Sequence, residues 1–349
     1  MRRLDAHMSK NALHTDSAFG YKTHHSTEGM MLGLTNDILT GFDNNQCTVM
    51  PFLDLSAAFD TIDIEKMVNI METEIGVTDI ALSWIRSFLS GRKQKVKTNN
   101  SYSSELDVLF GAPQGSVLGP KFFNIYVRSQ PRVFNHCRFM TTSFADDANG
   151  KKTFSLSFQH DTLKYDIAHC MNEITSWMNH FLKINPDKTE ILLLYPKELE
   201  HRIIIKGTFI NSECIRFSDE VKNVGVWLDK NMNMDKHCNK VVSHCYYLLK
   251  QIGRIRNILT QAHTEMLVYS VISSRLDQCN SLFINMSKRN LFKLQKVQNA
   301  AARLVTKKGK RNSITAILHD LHWLKIESRI ILKTLLIVYK CIYDFTQTI

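Results

Sequence analysis

The spacing of apolar residues divides the chain into a mixed part followed by a helical part. Nearly continuous apolar runs at Cys47–Leu55 and Ile191–Tyr195 predict two buried strands. An apolar period of 3.6 predicts three helices in the same part, at Ile64–Met71, between the N-cap candidate Thr78 and Gly91, and along a stripe from Leu163 to Phe181. We therefore expect strands and helices to be interleaved in this part of the chain.

From about Asp235 onward the pattern is almost wholly helical, in segments around residues 246–258, 266–282, 291–305 and 330–343. Val221–Leu228 is interpreted as one arm of a short hairpin, and the basic residues 92–97 as an exposed strand. Residues 1–29 are polar and rich in histidine, and they show no firm periodicity before Thr27. Pro51 conflicts with a central strand, because proline cannot donate a ladder hydrogen bond.

Composition indicates a globular protein, with 44% hydrophobic and 22% charged residues. No apolar run reaches the ~20 residues of a membrane span, and the first residues lack the apolar run of a secretory signal, so we expect a soluble intracellular chain. The eight cysteines include no C-x-x-C pair, which favours reduced thiols. His237-Cys238 and His244-Cys245 form either a zinc site or, on one helical face, a set of buried thiols.

The net charge of +11 is unevenly distributed. Between Lys230 and Arg311 there are sixteen Lys or Arg and three acidic residues, a net charge of +13, which leaves −2 for the rest of the chain. A basic lobe joined to a near-neutral one is typical of a protein that holds a polyanion with one part and does chemistry with the other. Solvated helix faces that are simply basic are the alternative.

Two segments place carboxylates at the end of apolar runs, Phe52–Asp60 and Phe144–Asp147. Adjacent ionised carboxylates repel each other unless a cation offsets them, and ligands made only of oxygen favour Mg²⁺. Two such ions ~3.5–4 Å apart can activate a 3′-hydroxyl and stabilise a leaving pyrophosphate. An isolated Asp-Asp pair is more often a turn or a helix cap, so this interpretation depends on the order and spacing of the motifs.

Four segments in chain order resemble motifs A to D of LINE-type, non-LTR retrotransposon reverse transcriptases. They are FLDLSAAFDTID from Phe52, GAPQGSVLGPKFFNIYV from Gly111, FADD from Phe144 and LKINPDKTEILLL from Leu182. Tyr21–Asp37 resembles the fingers motif that precedes them, and Leu276–Val305 resembles the thumb region. The resemblance covers nearly the whole chain, and four ordered motifs of this length are highly specific.

This resemblance implies an α+β right-hand polymerase with partial fingers, a palm of antiparallel sheet backed by helices, and an all-helical, thumb-like C-terminal lobe. The expected divisions are a partial fingers segment at 1–43, a fingers–palm catalytic core at 44–196, a primer-grip-like hairpin region at 197–229 and a basic helical thumb with C-terminal helices at 230–349. The implied function is an RNA-directed DNA polymerase that adds dNTPs to the 3′-hydroxyl of a DNA primer on an RNA template. Two Mg²⁺ ions, or Mn²⁺, would be its cofactors.

The resemblance also implies a role for each matching position. Asp54 resembles the motif A metal ligand, with the Leu55 carbonyl as a second contact. Asp146 and Asp147 resemble the motif C carboxylates, with Asp146 on the metals and Asp147 beside it. Lys188 resembles the motif D general acid that protonates the pyrophosphate, and a surface lysine is the alternative.

Phe59 resembles the bulky steric gate that excludes a ribose 2′-hydroxyl and so favours dNTPs, with a core phenylalanine as the alternative. Gln114 and Gly115 resemble the motif B residues that contact the incoming nucleotide and the template, where glycine allows close backbone approach. A simple turn is the alternative there. Lys22 occupies a fingers position for nucleotide or template phosphates.

Arg92 and Gln94 would lie on the template path, with solvated surface as the alternative. Gly225, within Val224–Val226, resembles the hairpin that grips the primer end. The basic helices that follow would clamp the RNA–DNA hybrid through its phosphates, without base readout. Lys307–Arg311 is a candidate nuclear import signal or phosphate contact, so the expected location is the nucleus or the cytoplasm, in a ribonucleoprotein.

Some features depart from the family pattern. The family continues after Asp147 into an apolar strand, whereas this chain has Ala148–Lys152 (ANGKK). This difference predicts weaker strand pairing and a less fixed position for the carboxylates. Pro51 threatens the strand that leads to Asp54. The chain also begins too late for the first fingers motifs and contains no endonuclease-like segment, so target cleavage would need another protein. The alternative function is a catalytically inactive, truncated remnant that keeps RNA or hybrid binding, and a helical scaffold with accidental aspartates is a third.

Overall fold

The computed structural model of the chain describes residues 2–53, 59–99, 101–156, 160–181, 189–204, 206–210 and 213–343. The helices are α1 (Arg2–Lys10), α2 (Thr27–Asp43), α3 (Ile64–Thr73), α4 (Asp79–Leu89), α5 (Gly119–Tyr126), α6 (Gln130–His136), α7 (His160–Phe181), α8 (Asp235–Ile255), α9 (Gln261–Val268), α10 (Ser274–Asp277), α11 (Lys288–Thr306), α12 (Ile314–Asp320) and α13 (Ile326–Ile342). The strands are β1 (Gln46–Leu53), β2 (Arg92–Gln94), β3 (Lys97–Thr98), β4 (Ser101–Tyr102), β5 (Leu106–Val108), β6 (Met140–Phe144), β7 (Asp147–Ser155), β8 (Glu190–Leu194), β9 (Gly207–Ile210), β10 (Glu213–Arg216), β11 (Glu220–Asn223) and β12 (Val226–Asp229). The fold is therefore α+β, as the sequence predicts.

Contacts between residues in space divide the chain into two compact units. The first comprises residues 1–23, 48–193 and 201–218, and the second comprises residues 24–47, 194–200 and 219–349. These units follow backbone contacts and cross the subdomain boundaries expected from the sequence, for example within residues 1–43. The named fingers, palm and thumb divisions therefore stay a prediction.

A four-stranded sheet with the strand order β6–β7–β1–β8 lies in the first unit. The side chains of β1 from Cys47 to Leu53 are all buried, which explains the continuous apolar run that predicts this strand. The hydroxyls of Thr48 and Thr153 lie 3.1 Å apart, and Pro51 approaches Gly150, so β1 and β7 run in opposite directions. The strand predicted at Ile191–Tyr195 is confirmed as β8.

Three predicted helices of this unit are confirmed. Helix α3 begins at Asp63, whose carboxylate accepts a hydrogen bond of 3.0 Å from the backbone N–H of Lys66. Thr78 is the N-cap residue of α4, as predicted, but its hydroxyl donates to the Asp79 carboxylate at 3.0 Å and makes no capping bond to the backbone. Gly91 follows this helix with φ +66°, which glycine adopts without strain. Helix α7 buries the predicted stripe at Leu163, Ile167, Cys170, Ile174 and Met178.

The polar segment at the start of the chain contains a helix that the sequence pattern did not reveal. Helix α1 is strongly polar and buries only Met8, so it offers few apolar positions from which to predict a helix. Polar tertiary contacts hold it instead, because His7 Nε2 lies 2.7 Å from the carbonyl of Ile75 and Asp5 forms a 2.5 Å ion pair with the buried Lys121. The prediction for residues 92–97 is also corrected, because β2 ends at Gln94 and pairs with β5, whereas β3 pairs with β4.

The second unit contains α2, α8 to α13 and the hairpin β11–β12. Val221–Leu228 forms both arms of this hairpin, which corrects the prediction of one arm. The predicted helical segment 266–282 is divided, because a π-helical turn at Tyr269–Ser273 separates α9 from α10 and a 3-10 turn follows at Asn280–Phe283. Within the ranges that the structure describes, no helix is long and apolar enough to cross a membrane.

Candidate active site

Strands β6 and β7 form a tight hairpin that presents the predicted motif C carboxylates. Phe144 pairs with Asp147, so Ala145 and Asp146 are the two loop residues. Ala145 has φ +56°, a conformation that costs a non-glycine residue on the order of 1–2 kcal/mol. Asp146 and Asp147 are both exposed at this end of the sheet. The hairpin therefore exposes two adjacent carboxylates, Asp146 in the strained turn and Asp147 at the start of β7.

The segment after Asp147 is a regular strand, which corrects the expectation of poor pairing. Four residues of β7 continue the register, with Ala148 opposite Ser143, Asn149 opposite Thr142, Gly150 opposite Thr141 and Lys151 opposite Met140. Pro51 is likewise accommodated inside β1 and does not end the strand. Gly150 lies between the two features: a Cβ at this position would overlap the ring of Phe134 and would lie 3.4 Å from Pro51 Cγ, an ordinary contact distance.

Three predicted site residues, Asp54, Leu55 and Lys188, lie outside the described residues. Within the described part of the chain, no group of three or more His, Cys, Asp or Glu side chains is placed to hold a metal ion. Asp146 and Asp147 supply oxygen donors of the kind that Mg²⁺ prefers. These two residues fit a divalent cation but need further ligands to hold one.

The segment Ser17–Gly20 supports the carboxylate hairpin from the edge of β6. The backbone N–H of Phe19 donates to the Ser143 carbonyl at 2.8 Å, and the N–H of Ser143 donates to the Ser17 carbonyl at 2.9 Å. Gly20 packs so closely against the backbone of Ala145 that a Cβ at position 20 would overlap the Ala145 nitrogen. The Asn124 side chain of α5 then fixes this segment, because its Nδ2 donates to the Gly20 carbonyl at 2.8 Å.

Phe59 and the loop of the predicted motif B are also brought together. The backbone N–H of Ala112 donates to the Phe59 carbonyl at 3.0 Å. The ring of Phe59 stacks on Phe123 with centroids 4.9 Å apart and meets the edge of Tyr21 with centroids 6.5 Å apart. Phe59 is half-buried, so its position is compatible with both a gate and a packing role.

Gln114 and Gly115 lie on the exposed part of the motif B loop. The Gln114 amide donates to both carboxylate oxygens of Asp60 at 2.8 and 2.9 Å. Gly115 has φ +78°, and a Cβ there would meet no heavy atom within 4 Å. The loop conformation thus requires glycine at 115, while the space around it is open to a ligand.

Lys22 is half-buried beside the hairpin support. Its ammonium donates to the Thr15 carbonyl at 3.4 Å. Burial lowers its pKa, Lys121 lowers it further, and Asp16 opposes the shift. This environment favours an anion near Lys22, because an added negative charge would offset the cost of burying the ammonium.

Arg92 makes contacts within the protein, whereas Gln94 is exposed. The Arg92 guanidinium donates to the Leu89 carbonyl at 2.7 Å, to the Phe110 carbonyl at 3.0 Å and to the Gly111 carbonyl. These bonds join the end of α4 to the start of the motif B loop. Gln94 pairs with Leu106 at the end of β2.

In the second unit, Gly225 occupies the turn of the hairpin β11–β12. Val224 and Gly225 form a two-residue loop with φ of +45° and +86°, the pattern of the type I′ turn that suits hairpins. A Cβ at position 225 would lie only 2.6 Å from Gln278 Nε2. The backbone conformation therefore favours glycine at this position, and the Gln278 side chain packs over it.

The basic residues of the second unit do not all face solvent. Arg256 is buried and donates to the carbonyls of Leu304, Leu259 and Val305. Cys238 and Cys245 are buried free thiols and His244 is exposed, which favours the buried-thiol interpretation over the zinc site. Most of the other Lys and Arg side chains of α8 and α11 are exposed or half-buried.

Sequence reasoning missed Gly20, Tyr21 and Asn124, which surround the hairpin and Phe59. Two weak signals mark them, because Tyr21 opens the fingers-like motif and Asn124 lies in the motif B segment. Their importance depends on contacts between residues distant in the chain, such as the 2.8 Å bond from Asn124 to Gly20. No pattern of apolar or charged positions predicts such contacts.

The α+β fold and the carboxylate hairpin are the features expected of a polymerase. Residues 1–228 match the family model of reverse transcriptase (RNA-dependent DNA polymerase), and the chain is a member of that family. The family predicted from motifs A to D is thereby confirmed.

Similar curated proteins are RNA-directed DNA polymerases from transposons. The chain is 24% identical over 323 residues to the probable RNA-directed DNA polymerase from transposon BS of Drosophila melanogaster, covering 87% of this chain and 34% of that protein. It is 25% identical over 317 residues to the probable RNA-directed DNA polymerase from transposon X-element of the same organism, covering 87% of this chain and 33% of that protein. The chain thus spans about a third of the length of these relatives.

Telomerases are among the similar solved structures. Telomerase from Candida tropicalis in complex with a TWJ fragment of telomeric RNA aligns with 91% of this chain and 56% of its own, at 13% identity and a TM-score of 0.46. The corresponding complex from Candida albicans aligns with 92% of this chain and 56% of its own, at 12% identity and a TM-score of 0.44.

Proposed function

We propose that this chain is the polymerase core of a non-LTR retrotransposon reverse transcriptase and adds dNTPs to the 3′-hydroxyl of a DNA primer on an RNA template. The observation that carries the proposal is the β6–β7 hairpin, with Asp146 and Asp147 exposed at its turn. Thr48 faces Thr153 and Pro51 approaches Gly150, so β1 runs antiparallel to β7 and its C-terminal end lies toward that turn. Asp54, the residue after Leu53, is the third carboxylate of the proposed site.

Asp54, Asp146 and Asp147 would hold two Mg²⁺ ions, with the Leu55 carbonyl as a further ligand and Mn²⁺ as a substitute. When bound, such ions activate the primer hydroxyl and stabilise the charge on the leaving pyrophosphate. The hairpin contributes a fixed position for two carboxylates, held by the strand register and by Gly20. Lys188 is proposed to protonate the pyrophosphate.

The proposed nucleotide site lies beside this hairpin. Phe59 acts as the gate that excludes the ribose 2′-hydroxyl, Lys22 binds phosphate, and Gln114 and Gly115 line the open motif B loop. Arg92 shapes this loop through its three carbonyl contacts and, with Gln94, borders the template path. In the second unit, the Gly225 turn contacts the primer end and the basic helices bind the phosphates of the RNA–DNA hybrid. We place this activity in a nuclear or cytoplasmic ribonucleoprotein.

Regular strands at β1 and β7 favour an active polymerase over an inactive remnant. The two segments that threatened the site, around Pro51 and after Asp147, both pair as strands. A misplacement of ~1 Å would cost on the order of 10²-fold in rate, so this regularity matters for activity.

Primer extension on an RNA template, with Mg²⁺ or Mn²⁺, tests the proposal. We expect the unmutated chain to extend a DNA primer and Asp146→Asn, which keeps the side-chain shape but loses the charge, to abolish extension. Asp219→Asn is the matched control, because the Asp219 carboxyl is 87% exposed in the second unit, and it should retain extension. Hybrid binding measured at several salt concentrations should remain intact in both variants.

One result would overturn the proposal in favour of the binding remnant. The unmutated chain would bind an RNA–DNA hybrid in a salt-dependent way but extend no primer with either metal ion. Extension that survives Asp146→Asn would equally exclude the assigned carboxylate.

A further inference from the structure

The proposed gate residue Phe59 belongs to an aromatic cluster that includes Tyr21. Phe123 stacks on the Phe59 ring at a centroid distance of 4.9 Å and an interplanar angle of 29°. Tyr21 meets the same ring at 6.5 Å and 85°, an edge-to-face contact. The Phe59 ring is thus held from two sides by residues far from it in the chain.

These two supports differ in their surroundings. Phe123 lies on α5 with no exposed surface, so it belongs to the core. Tyr21 is 47% exposed, which is high for an aromatic side chain packed on another ring. Tyr21 is therefore the member of the cluster that lies at the surface, where a nucleotide would approach Phe59.

The backbone holds Tyr21 in an unfavourable conformation. Its φ of +57° lies in the left-handed region, which a bulky residue adopts only when its surroundings demand it. Two contacts of the preceding residue supply that demand, because the Gly20 carbonyl accepts a 2.8 Å bond from Asn124 and Gly20 packs on Ala145 of the carboxylate hairpin. One segment therefore supports both the hairpin that carries Asp146 and the ring of Phe59.

We infer that Tyr21 is a positioning residue for sugar selection, which holds the Phe59 ring where it excludes a ribose 2′-hydroxyl. This inference rests on the proposed polymerase function and on Phe59 as its gate. A gate discriminates only if the ring cannot turn aside, because a displaced ring leaves room for the extra hydroxyl. Loss of Tyr21 frees one side of the Phe59 ring while Phe123 still holds the other.

The test compares single-nucleotide incorporation of a dNTP and the matching rNTP, as the ratio of their kcat/KM values. We expect Tyr21→Ala to lower this ratio roughly three- to tenfold, the worth of about one aromatic pair, mainly through better rNTP use. Tyr21→Phe keeps the ring edge and should restore the ratio. Phe59→Ala should lower it most, and Asn124→Ala should lower it in the same direction as Tyr21→Ala by releasing Gly20.

Tyr165→Ala is the matched control, because Tyr165 is 70% exposed on α7 of the same unit and stacks only on His169 among the aromatic contacts of the described residues. It should leave the ratio unchanged. An unchanged ratio in Tyr21→Ala, or an equal loss of dNTP and rNTP incorporation, overturns the inference while dNTP extension by the unmutated chain still supports the polymerase. Absence of dNTP incorporation by the unmutated chain overturns both.

Discussion

Pro51 of β1 packs beside Gly150 of β7, so two departures from the family pattern are neighbours on adjacent strands. A Cβ at position 150 would lie 3.4 Å from Pro51 Cγ and would overlap two carbons of the fully buried Phe134 ring. The missing side chain at 150 therefore leaves room for the Phe134 ring, and Pro51 packs beside it. The two residues are best understood as one packing arrangement near the carboxylate hairpin.

Substitution of Gly150 should weaken the fold. We expect Gly150→Ala to lower the free energy of unfolding by about 1–3 kcal/mol, because the new methyl group must displace Phe134 in a packed core. Urea denaturation measures this change. The control is Gly253→Ala on α8, where the nearest atom would be 4.0 Å away, and it should raise stability by about 0.5–1 kcal/mol. Equal stability of Gly150→Ala and the unmutated chain would contradict the packing argument.

The Asn149 side chain offers a stabilising substitution next to this site. Asn149 is 1% exposed, and in the described structure its Oδ1 and Nδ2 atoms have no hydrogen-bond partner. We expect Asn149→Leu to raise the free energy of unfolding by about 1 kcal/mol, because two desolvated polar groups are removed at similar volume. Asn149→Asp should instead lower it by about 3 kcal/mol. Thermal denaturation measures both, and destabilisation by leucine would reveal a partner for the amide.

The elements predicted best from sequence are those fixed by local pattern. The apolar run of β1, the stripe of α7 and the glycine that follows α4 all have local causes, and the structure contains them. The order of motifs A to D likewise predicts the family. None of these predictions needs knowledge of which strands are neighbours.

Features that depend on register or on distant contacts were not predictable in this way. Pro51 and the residues after Asp147 looked disruptive because sequence does not show that Pro51 lies against Gly150. Helix α1 was missed because His7 and Asp5 stabilise it through polar contacts to distant residues. Arg256 was counted with the nucleic-acid-binding charges, although its guanidinium is used inside the second unit.

Burial of His237 should make the second unit sensitive to acid. Its Nδ1 accepts a 3.3 Å bond from the backbone N–H of Trp227, and burial lowers its pKa to about 4. The unfolded chain has a pKa near 6.5 at this residue, so it binds a proton more readily than the folded one between these values. The contribution of His237 to the free energy of unfolding is therefore fully present above pH 6.5. It decreases by about 3 kcal/mol as the pH drops to about 4.

Urea denaturation from pH 4 to pH 7 measures this loss. His237→Asn keeps an acceptor for the Trp227 N–H but cannot titrate, so its stability should depend less on pH. His244→Asn is the matched control, because His244 is exposed on the same helix, and it should keep the dependence of the unmutated chain. The same slope in all three proteins would exclude His237 as its source.

The stability of the second unit should depend on the guanidinium of Arg256, which a lysine ammonium cannot replace. It donates to the Leu304 and Val305 carbonyls, both at 2.7 Å near the end of α11, and to the Leu259 carbonyl at 2.8 Å. We expect Arg256→Lys to lower the free energy of unfolding by about 1–3 kcal/mol, because a lysine cannot reproduce the fork and leaves buried carbonyls without donors. Arg254→Lys, at an exposed site, should change stability little in the same urea titration. If Arg256→Lys left the free energy of unfolding unchanged, water would have replaced the lost donors.

Substitution of Gly20 should lower activity through the position of the carboxylate turn. A Cβ at position 20 would overlap the backbone nitrogen of Ala145, so Gly20→Ala must push the carboxylate turn away or displace the segment that supports it. Either shift moves Asp146, and a displacement of ~1 Å is enough for a loss on the order of 10²-fold in primer extension. Because the overlapped atoms are backbone, we expect urea denaturation to show a loss of about 1–3 kcal/mol as well, and extension is therefore compared under conditions where both proteins are folded. Gly29→Ala is the control, since its Cβ would meet only the Ser26 hydroxyl at 3.4 Å, and it should extend primers normally. If the Gly20→Ala variant extends primers at the rate of the unmutated chain, the close approach of Gly20 to Ala145 does not set the position of the carboxylates.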